Sequence, residues 1–342
     1  MGLHPGATGA LTVAPWHWHR LSRHSVSGNT LRAEIVVFLF CESLDMSASQ
    51  IDLLAAYWTL AGDVYPCAPS EVSPYPLQDR AAAAAKAGWT GLGLVLSDLQ
   101  ATIDKQGLAG VRHILDDNGI KHFELEILVD WYTDDERRIK SDAFRRDVIE
   151  LGGALGMKNL KIGASHLDRN PPSTAKMADE FAKLCQDVAE VGATVSLEFM
   201  PFSPIRGIAD SLAIVEAADQ PNGGLTVDNW HVCRGGGSYE DVARIPARFL
   251  KSVELDDAVD EIQGTLFDDT RFQRRLCGEG SFDPPAFIQA VQVAGFAGPY
   301  YGVEIISEHF RRLPLDVMAK RAFDSTMAQF EAAKARSAKP AA

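Results

Sequence analysis

Residues 177–199 read MADEFAKLCQDVAEVGATVSLEF and join a helix to a strand through a single glycine. Met177 to Val191 predict a helix, and Gly192 follows as the residue that most readily ends one. Thr194 to Phe199 then predict a strand. The same order of strand and helix continues on both sides of this segment. Strict alternation predicts an α/β protein with parallel strands and right-handed crossovers.

Eight strand-and-helix units follow one another after Met46. The predicted strands are Ile51–Leu60, Gly91–Leu96, His122–Leu128, Leu160–Ala164, Thr194–Phe199, Leu225–Asp228, Val253–Leu255 and Tyr301–Ile305. Eight units favour a closed (β/α)8 TIM barrel over an open doubly wound sheet. The loop after the first strand, Leu60-Ala61-Gly62-Asp63, also lacks the GxGxxG spacing of an open dinucleotide-binding sheet. The sequence therefore predicts one barrel over residues 46–336.

The composition is that of a globular protein with a large core and an acidic surface. The 342 residues are 46% hydrophobic and carry a formal net charge of −13. A negative surface repels phosphate backbones, so no nucleic-acid partner is expected. The five cysteines form no CxxC pair, which argues for a reducing compartment. No apolar run is long enough for a membrane helix and no signal peptide is recognised, so a cytoplasmic location without membrane contact is expected.

The two ends of the chain differ from the repeating part. Residues 1–45 show no sustained period, and Trp and His residues crowd together between positions 16 and 24. One interpretation is a metal-binding or regulatory arm, and the other is a disordered extension ahead of a chain that begins at Met46. We favour the extension because Met46 leads directly into the first strand. Residues 337–342 are interpreted as a flexible tail.

Four strands in the second half of the chain carry an acid at or near their ends. These acids are Glu198, Asp228, Glu254 and Glu304, on strands five to eight. A single buried acid is usually half of an ion pair, but four at one mouth repel each other unless a cation neutralises them. Functional groups of such barrels lie at the carboxyl ends of the strands. The sequence therefore predicts one divalent metal, Mn²⁺ or Mg²⁺, with Co²⁺ or Zn²⁺ as alternatives.

Other residues near these strand ends are candidates for substrate contact. His231 follows Asp228 by three residues, and Arg234 precedes three consecutive glycines. Glu126 on strand three and Trp58 on strand one are further candidates. Each has a plainer interpretation: a structural histidine, a solvated loop arginine, a barrel ion pair and a core aromatic residue. The sequence leaves both interpretations open.

These motifs, in this order, resemble the xylose isomerase-like barrel superfamily of sugar-phosphate isomerases and epimerases. The matching pieces are Ser196-Leu197-Glu198, Val227-Asp228-Asn229-Trp230-His231 with Arg234, Val253-Glu254-Leu255-Asp256-Asp257, Gly278-Glu279-Gly280 with Asp283, and Gly302-Val303-Glu304. The resemblance spans Ile51 to Ala333 and implies one metal bound by the acids of strands five, six and eight with position 254. It also implies substrate contact by His231 and by Arg275 or Arg274, just before the Gly-Glu-Gly element.

Glu254 is the point at which the chain departs from this family. The epimerases have histidine at the corresponding position, and some dehydratase-like members have glutamine. A fourth carboxylate makes the site more negative and favours a harder metal ion. This departure weakens a direct assignment as a ketose epimerase.

The resemblance implies an isomerase or epimerase acting on a sugar or sugar-like polyol. No phosphate-binding glycine loop is recognised after strands seven and eight, so an unphosphorylated sugar, cyclitol or glycoside is preferred. Glu198 and Glu304 are expected to act as acid and base, removing a proton next to a carbonyl to give a metal-bound enediolate. The alternative is a dehydratase or lyase of a keto-cyclitol or keto-glycoside, similar to the inosose dehydratases, in which a β-group leaves.

Two other classes of function are weighed against this one. An apurinic endonuclease on the same barrel needs extra histidines on early strands, and Val95–Asp98 and Leu125–Leu128 contain none. A non-catalytic binding barrel would bind its ligand without a metal. The oligomeric state stays open, with a homo-oligomer included.

Overall fold

Eight parallel strands form a closed barrel in which each strand pairs with its neighbours in chain order and β8 closes on β1. The computed structural model describes residues 51–338, so the extension predicted at 1–45 lies outside the described residues, as do positions 339–342 of the predicted tail. The strands are β1 (Leu53–Ala55), β2 (Gly91–Val95), β3 (His122–Leu128), β4 (Asn159–Ile162), β5 (Thr194–Glu198), β6 (Gly223–Asp228), β7 (Leu250–Leu255) and β8 (Tyr301–Val303). The predicted (β/α)8 barrel is confirmed.

Helices connect the strands. They are α1 (Tyr57–Leu60), α2 (Leu77–Ala87), α3 (Leu96–Asp117), α4 (Glu136–Leu155), α5 (Thr174–Ala189), α6 (Ile208–Ala218), α7 (Asn229–Arg234), α8 (Tyr239–Ala243), α9 (Leu266–Phe272), α10 (Pro284–Val293) and α11 (Leu315–Ser337). In the described part of the chain, none of them has the length and apolar character needed to cross a membrane. The short helices α7 and α8 follow β6, and the short helix α9 follows β7.

The first strand is shorter than predicted. The apolar run Ile51–Leu60 divides into β1 and the single turn of α1, so Trp58 lies in that helix and not on a strand. An apolar run of this length does not by itself distinguish a strand from a buried helical turn. Thr59 fixes the turn, since its Oγ1 atom donates to the carbonyl of Val303 at 2.7 Å. The consequence is that Trp58 lies just past the end of β1.

Two polar layers fill the barrel interior toward the carboxyl ends of the strands. In the lower layer, Asn159 Nδ2 donates to Ser196 Oγ at 2.8 Å and Thr226 Oγ1 donates to the same oxygen at 2.7 Å. Side chains alternate along a strand, so the residue two positions further on faces the interior one layer higher. Those residues are Lys161, Glu198 and Asp228. A charged layer therefore lies directly above an amide and hydroxyl layer.

Gly88 ends α2 in a left-handed conformation, with φ of +109°. Its N–H donates to the carbonyls of Ala84 and Ala85. A Cβ atom at this position would lie 2.7 Å from the ring of Phe323 on α11. Backbone conformation and close packing both favour glycine here.

We expect Gly88→Ala to lower the free energy of unfolding more than Gly119→Ala does. Gly119 also has a positive φ, of +66°, but a Cβ atom there would meet nothing within 4 Å. The control should lose about 1 kcal/mol from backbone strain, and Gly88→Ala about 1–3 kcal/mol more from overpacking against Phe323. Urea unfolding of both variants measures the difference, and equal losses would show that the contact with α11 yields without strain.

Candidate active site

The four acids predicted at the strand ends lie together inside the barrel mouth. Glu198 and Asp228 end β5 and β6, Glu254 lies near the end of β7, and Glu304 follows β8. In the register of the sheet, Asp228 pairs with Glu254, and Glu254 pairs with Gly302. One oxygen from each of the four carboxylates lies within 4.8 Å of the others, and all four residues are buried. We call these four residues the acid cluster.

A cavity of about 510 Å³ opens above the acid cluster. Five charged or titratable residues at its base border it, and we call them the floor: Glu126, Glu198, His231, Arg274 and Glu304. Asp228 and Glu254 are not among the described residues that line the cavity, so they lie beneath the floor. The acid cluster is therefore divided into two acids that a ligand can touch and two that it cannot.

Lys161, on β4, is a functional candidate that the sequence reasoning missed. Its side chain is 1% exposed, and Nζ lies 2.8 Å from Glu126 Oε2, 2.5 Å from Glu254 Oε1 and 3.4 Å from Glu304 Oε1. The ammonium thus links β3 and β4 to β7 and β8 across the barrel. A lysine within an apolar strand was the available signal, because a buried ammonium needs a charged partner as much as a buried carboxylate does.

Arg274 brings a second buried cation to the acid cluster, from the segment that follows β7. Its Nη1 atom lies 2.6 Å from Asp228 Oδ2 and also contacts Asp256, while Nη2 lies 3.1 Å from Glu304 Oε2. The guanidinium lies over the ring of Trp230, 5.4 Å from its centroid. A planar guanidinium with five N–H groups can serve several carboxylates at once.

Arg275 does not border the cavity, which corrects one expectation from the sequence. It forms an antiparallel bridge with Asp257, in which the N–H of each residue donates to the carbonyl of the other. Side chains alternate along such an extended segment, so Arg274 and Arg275 point to opposite sides. Of the two arginines that the resemblance offered, Arg274 reaches the floor.

Arg234 also lies away from the cavity, because it is bound to the segment that follows β7. Its Nε atom lies 3.0 Å from Asp269 Oδ2, and its other nitrogens donate to the backbone carbonyls of residues 259 and 260. The Arg234 side chain is 6% exposed. Its contacts correspond to those of a buried structural arginine, not to a solvated loop residue or a substrate contact.

Glu126 and Trp58 do border the cavity. Glu126 Oε2 contacts Lys161, and its Oε1 atom accepts a hydrogen bond from the backbone N–H of Tyr57 at 2.7 Å. Both oxygens therefore have partners within the protein, which matches the predicted barrel ion pair. Contact with a substrate stays a prediction for both residues.

His231 is positioned by the helix that begins at Asp228. The Asp228 carboxylate caps α7 by accepting the backbone N–H of His231 at 2.8 Å, which explains their spacing of three residues. The imidazole Nε2 atom lies 3.4 Å from Glu198 Oε1. Its Nδ1 atom is buried and has no hydrogen-bond partner among the described residues. The ring thus lies between the acid cluster and the cavity.

The surrounding charges move the pKa values of the acid cluster apart. For Glu198, burial acts to raise the pKa, but Lys161 and His231 lower it to about 2. For Glu304, burial raises the pKa to about 8 against the opposing charges of Lys161 and Arg274. Burial, and then the charge of Glu304, raises the pKa of Glu254 well above its usual range. The cluster therefore holds more carboxylates than its two cations neutralise.

The acid cluster fits a divalent metal ion. Glu254 Oε2 is buried without a hydrogen-bond partner among the described residues, although the other oxygen contacts Lys161. One oxygen of each of the other three acids lies within 4.8 Å of one oxygen of Glu254, and a carboxylate oxygen has more than one lone pair. A hard divalent cation would provide Glu254 Oε2 with a partner and offset the excess negative charge. The four acids of the cluster would hold it.

Comparison with known proteins gives a family match and several more distant likenesses. The sequence profile of the family described as xylose isomerase-like TIM barrel matches residues 81–329. The 3-dehydroshikimate dehydratase of Pseudomonas aeruginosa is 26% identical over 166 residues, which are 48% of this chain and 25% of that protein. The inosose isomerase of Halalkalibacterium halodurans is 24% identical over 229 residues, which are 64% of this chain and 78% of that protein. The match to the dehydratase thus spans a quarter of its length.

Among solved structures, the IolI protein crystallised with a zinc atom is similar in fold. The TM-score is 0.72 at 18% identity, over 82% of this chain and 99% of that one. At this level of identity the likeness concerns the fold alone.

We expect the full chain to bind one Mn²⁺ ion, and Glu198→Gln or Glu254→Gln to weaken that binding. The loss should be at least about tenfold, the size that follows when even a supporting group of a metal site is removed. Glu180→Gln is the matched control, because Glu180 is also buried but pairs with Arg138 and Lys183 on the outside of the barrel. Calorimetric titration with Mn²⁺ measures the affinities. Equal binding by all four proteins would place the metal elsewhere.

Lys161 and Glu254 are expected to be energetically coupled. In the presence of EDTA, Lys161→Met should lower the free energy of unfolding by about 3–5 kcal/mol, because it leaves buried carboxylates unpaired. Glu254→Gln should cost less, since Lys161 keeps Glu126. The double variant should lose less than the sum of the two, by about 1–3 kcal/mol.

The control for this double-mutant cycle is Lys183→Met, which removes a largely exposed lysine that contacts Glu180. Its effect should stay within about 1 kcal/mol, as for other solvated pairs. Strict additivity of Lys161→Met and Glu254→Gln in urea unfolding would rule out the coupling.

Proposed function

The chain belongs to the xylose isomerase-like TIM barrel family, and from this premise we propose that it is a divalent-metal-dependent isomerase or epimerase of a sugar or sugar-like polyol. In this proposal the reaction begins with proton abstraction next to a carbonyl and passes through an enediolate of the substrate. The acid cluster holds the metal, and Glu198 and Glu304 serve as the catalytic acid and base.

The division of the acid cluster is the observation that carries this proposal. Glu198 and Glu304 border the cavity together with His231, while Asp228 and Glu254 lie beneath the floor. Groups that exchange protons with a substrate must reach it within hydrogen-bond distance, and groups that only hold a metal need not. Two accessible carboxylates from β5 and β8 satisfy the requirement for an acid and a base in one cavity.

The metal, when bound, supplies Lewis-acid polarisation of the substrate carbonyl. The residues of the chain do the remaining work. Glu198 takes the proton from the carbon next to the carbonyl, and Glu304 returns a proton on the other face or the neighbouring carbon. Lys161 and Arg274 hold Glu304 in place through the contacts described above. His231 orients a substrate hydroxyl beside Glu198.

Dehydration or β-elimination is the second candidate, on a keto-cyclitol or keto-glycoside. His231 favours it, because this residue borders the cavity beside Glu198 and a leaving hydroxyl needs a proton donor distinct from the base. The names of the two relatives, an isomerase and a dehydratase, support both outcomes. Both reactions share the first proton abstraction, so one measurement detects either.

We expect the Mn²⁺-loaded chain to exchange the proton next to the carbonyl of at least one polyhydroxy ketone in D₂O, as followed by NMR. EDTA should abolish exchange, and Glu198→Gln should slow it by about 10²–10⁴-fold, as expected for loss of a positioned base. Product analysis then separates isomers from dehydrated compounds. Glu180→Gln should retain the full rate, because Glu180 is buried on the outside of the barrel, where it pairs with Arg138.

The proposal fails if exchange on a broad panel of ketoses and keto-cyclitols is absent while the protein is folded and binds Mn²⁺. It fails as well if Glu198→Gln exchanges as fast as the unchanged chain.

A further inference from the structure

The part of the cavity above the floor is built from different groups than the floor itself. Six residues from the loops and helices beyond the strand ends form it, and we call them the upper wall: Leu96, Phe144, His166, Met200, Phe202 and Phe267. Five of them are apolar, and the sixth is an imidazole whose pKa is lowered by burial and then by Arg271. The hydroxyl groups of a polyhydroxy compound form few favourable contacts with such a wall.

Aromatic rings connect the upper wall to the floor. His166 and Phe267 stack with centroids 4.0 Å apart and an angle of 18° between their planes. Phe202 contacts Phe267 edge to face at 5.4 Å, and also His231 on the floor at 5.9 Å. Phe202 and Phe267 are only partly buried. Ring surface therefore remains available to a planar or apolar group that lies above the floor.

Three polar side chains close to the upper wall are engaged within the protein. These pairs are Gln100 with Asp147, Glu71 with the backbone N–H of Cys67, and Arg271 with Asp268. By contrast, His231 on the floor has a buried Nδ1 atom without a hydrogen-bond partner among the described residues. A hydroxyl placed against the five apolar residues of the upper wall would lose its bonds to water without replacing them, which costs free energy. An apolar group there would gain from burial.

The size of the cavity also favours a substrate larger than a single sugar ring. At about 510 Å³ it lies in the range of roughly 300–1,000 Å³ that is usual for sites of drug-sized ligands. A single sugar ring on the floor would leave the upper wall in contact with water.

We propose that the substrate is bipartite, with a polyhydroxy carbonyl head on the floor and an aryl or similarly apolar group against the upper wall. An aryl glycoside with a keto-sugar ring has this chemistry. The inference rests on the proposed function, because it takes the floor as the reacting end. Phe267 and Phe202 are then specificity-determining residues.

The test compares phenyl β-D-glucopyranoside with methyl β-D-glucopyranoside as probes of the full chain. Calorimetric titration should give at least about tenfold tighter binding of the phenyl compound, because its ring is buried on the upper wall. Equal affinities would overturn the inference. Failure of the phenyl compound to bind would overturn it as well, since the aryl group alone should supply affinity.

Substitutions then test which side chain is responsible for the tighter binding of the phenyl compound. Phe267→Ala should reduce the phenyl preference to less than about threefold, and Phe267→Leu, which keeps an apolar side chain, should retain part of it. Phe296→Ala is the matched control, because Phe296 packs against Tyr301 and is not among the described residues that line the cavity. Unfolding curves check that each variant is folded. A preference that survives Phe267→Ala would place the aryl group away from the upper wall and contradict the inference.

The two proposals fail in different ways. If no ketose or keto-cyclitol exchanges its proton but Phe267→Ala removes a clear phenyl preference, the proposed reaction falls and the bipartite cavity stands. If unsubstituted ketoses react and phenyl compounds bind no better than methyl compounds, the reaction stands and the bipartite substrate falls.

Discussion

The burial of many carboxylates in one layer of the barrel is the constraint on which the site depends. Taking a charge out of water costs several kcal/mol even after the protein relaxes, so each buried acid needs a cation or hydrogen bonds. Lys161, on β4, is the cation for Glu126, Glu254 and Glu304. Arg274 is the cation for Asp228 and also contacts Glu304. The two cations leave part of the negative charge uncompensated. That remainder is what makes the cluster suited to a divalent ion.

The segment between β7 and α10 folds back over the barrel mouth, so that Arg274 reaches the acid cluster. The Asp257 carboxylate accepts the backbone N–H groups of Gly278, Gly280 and Phe282, which fixes the turn after Arg275. A Cβ atom at Gly280 would lie 2.3 Å from Asp257 Oδ1, so this close approach requires glycine. The same segment carries α9, which contributes Phe267 to the upper wall. This one segment therefore supplies Arg274 to the floor and Phe267 to the upper wall.

The sequence predicted the positions of the strands and their ends, which follow from hydrophobic periodicity. It did not predict the buried ion pairs or the backbone bridge that orients Arg274. Strand ends with acids were recognisable because strand–helix alternation places them at one mouth, and Glu198, Asp228, Glu254 and Glu304 do lie there. Lys161 was not recognised because β4 was interpreted as an apolar strand, although a lone lysine in it implied a buried partner. Arg274 and Arg275 could not be separated, because which of them faces inward depends on the bridge between Asp257 and Arg275. No local pattern in the sequence reveals that bridge.

Lys161 also explains how the barrel accommodates a fourth buried carboxylate at Glu254. A fourth carboxylate adds one negative charge to the cluster, and the ammonium of Lys161, 2.5 Å from Glu254 Oε1, adds one positive charge beside it. Because the same ammonium also contacts Glu126 and Glu304, it offsets only part of the charge of Glu254. Glu254 still has its second oxygen, Oε2, free of partners among the described residues. A neutral residue at position 254 would leave Lys161 with less opposing charge, so the burial of Lys161 and that of Glu254 depend on each other.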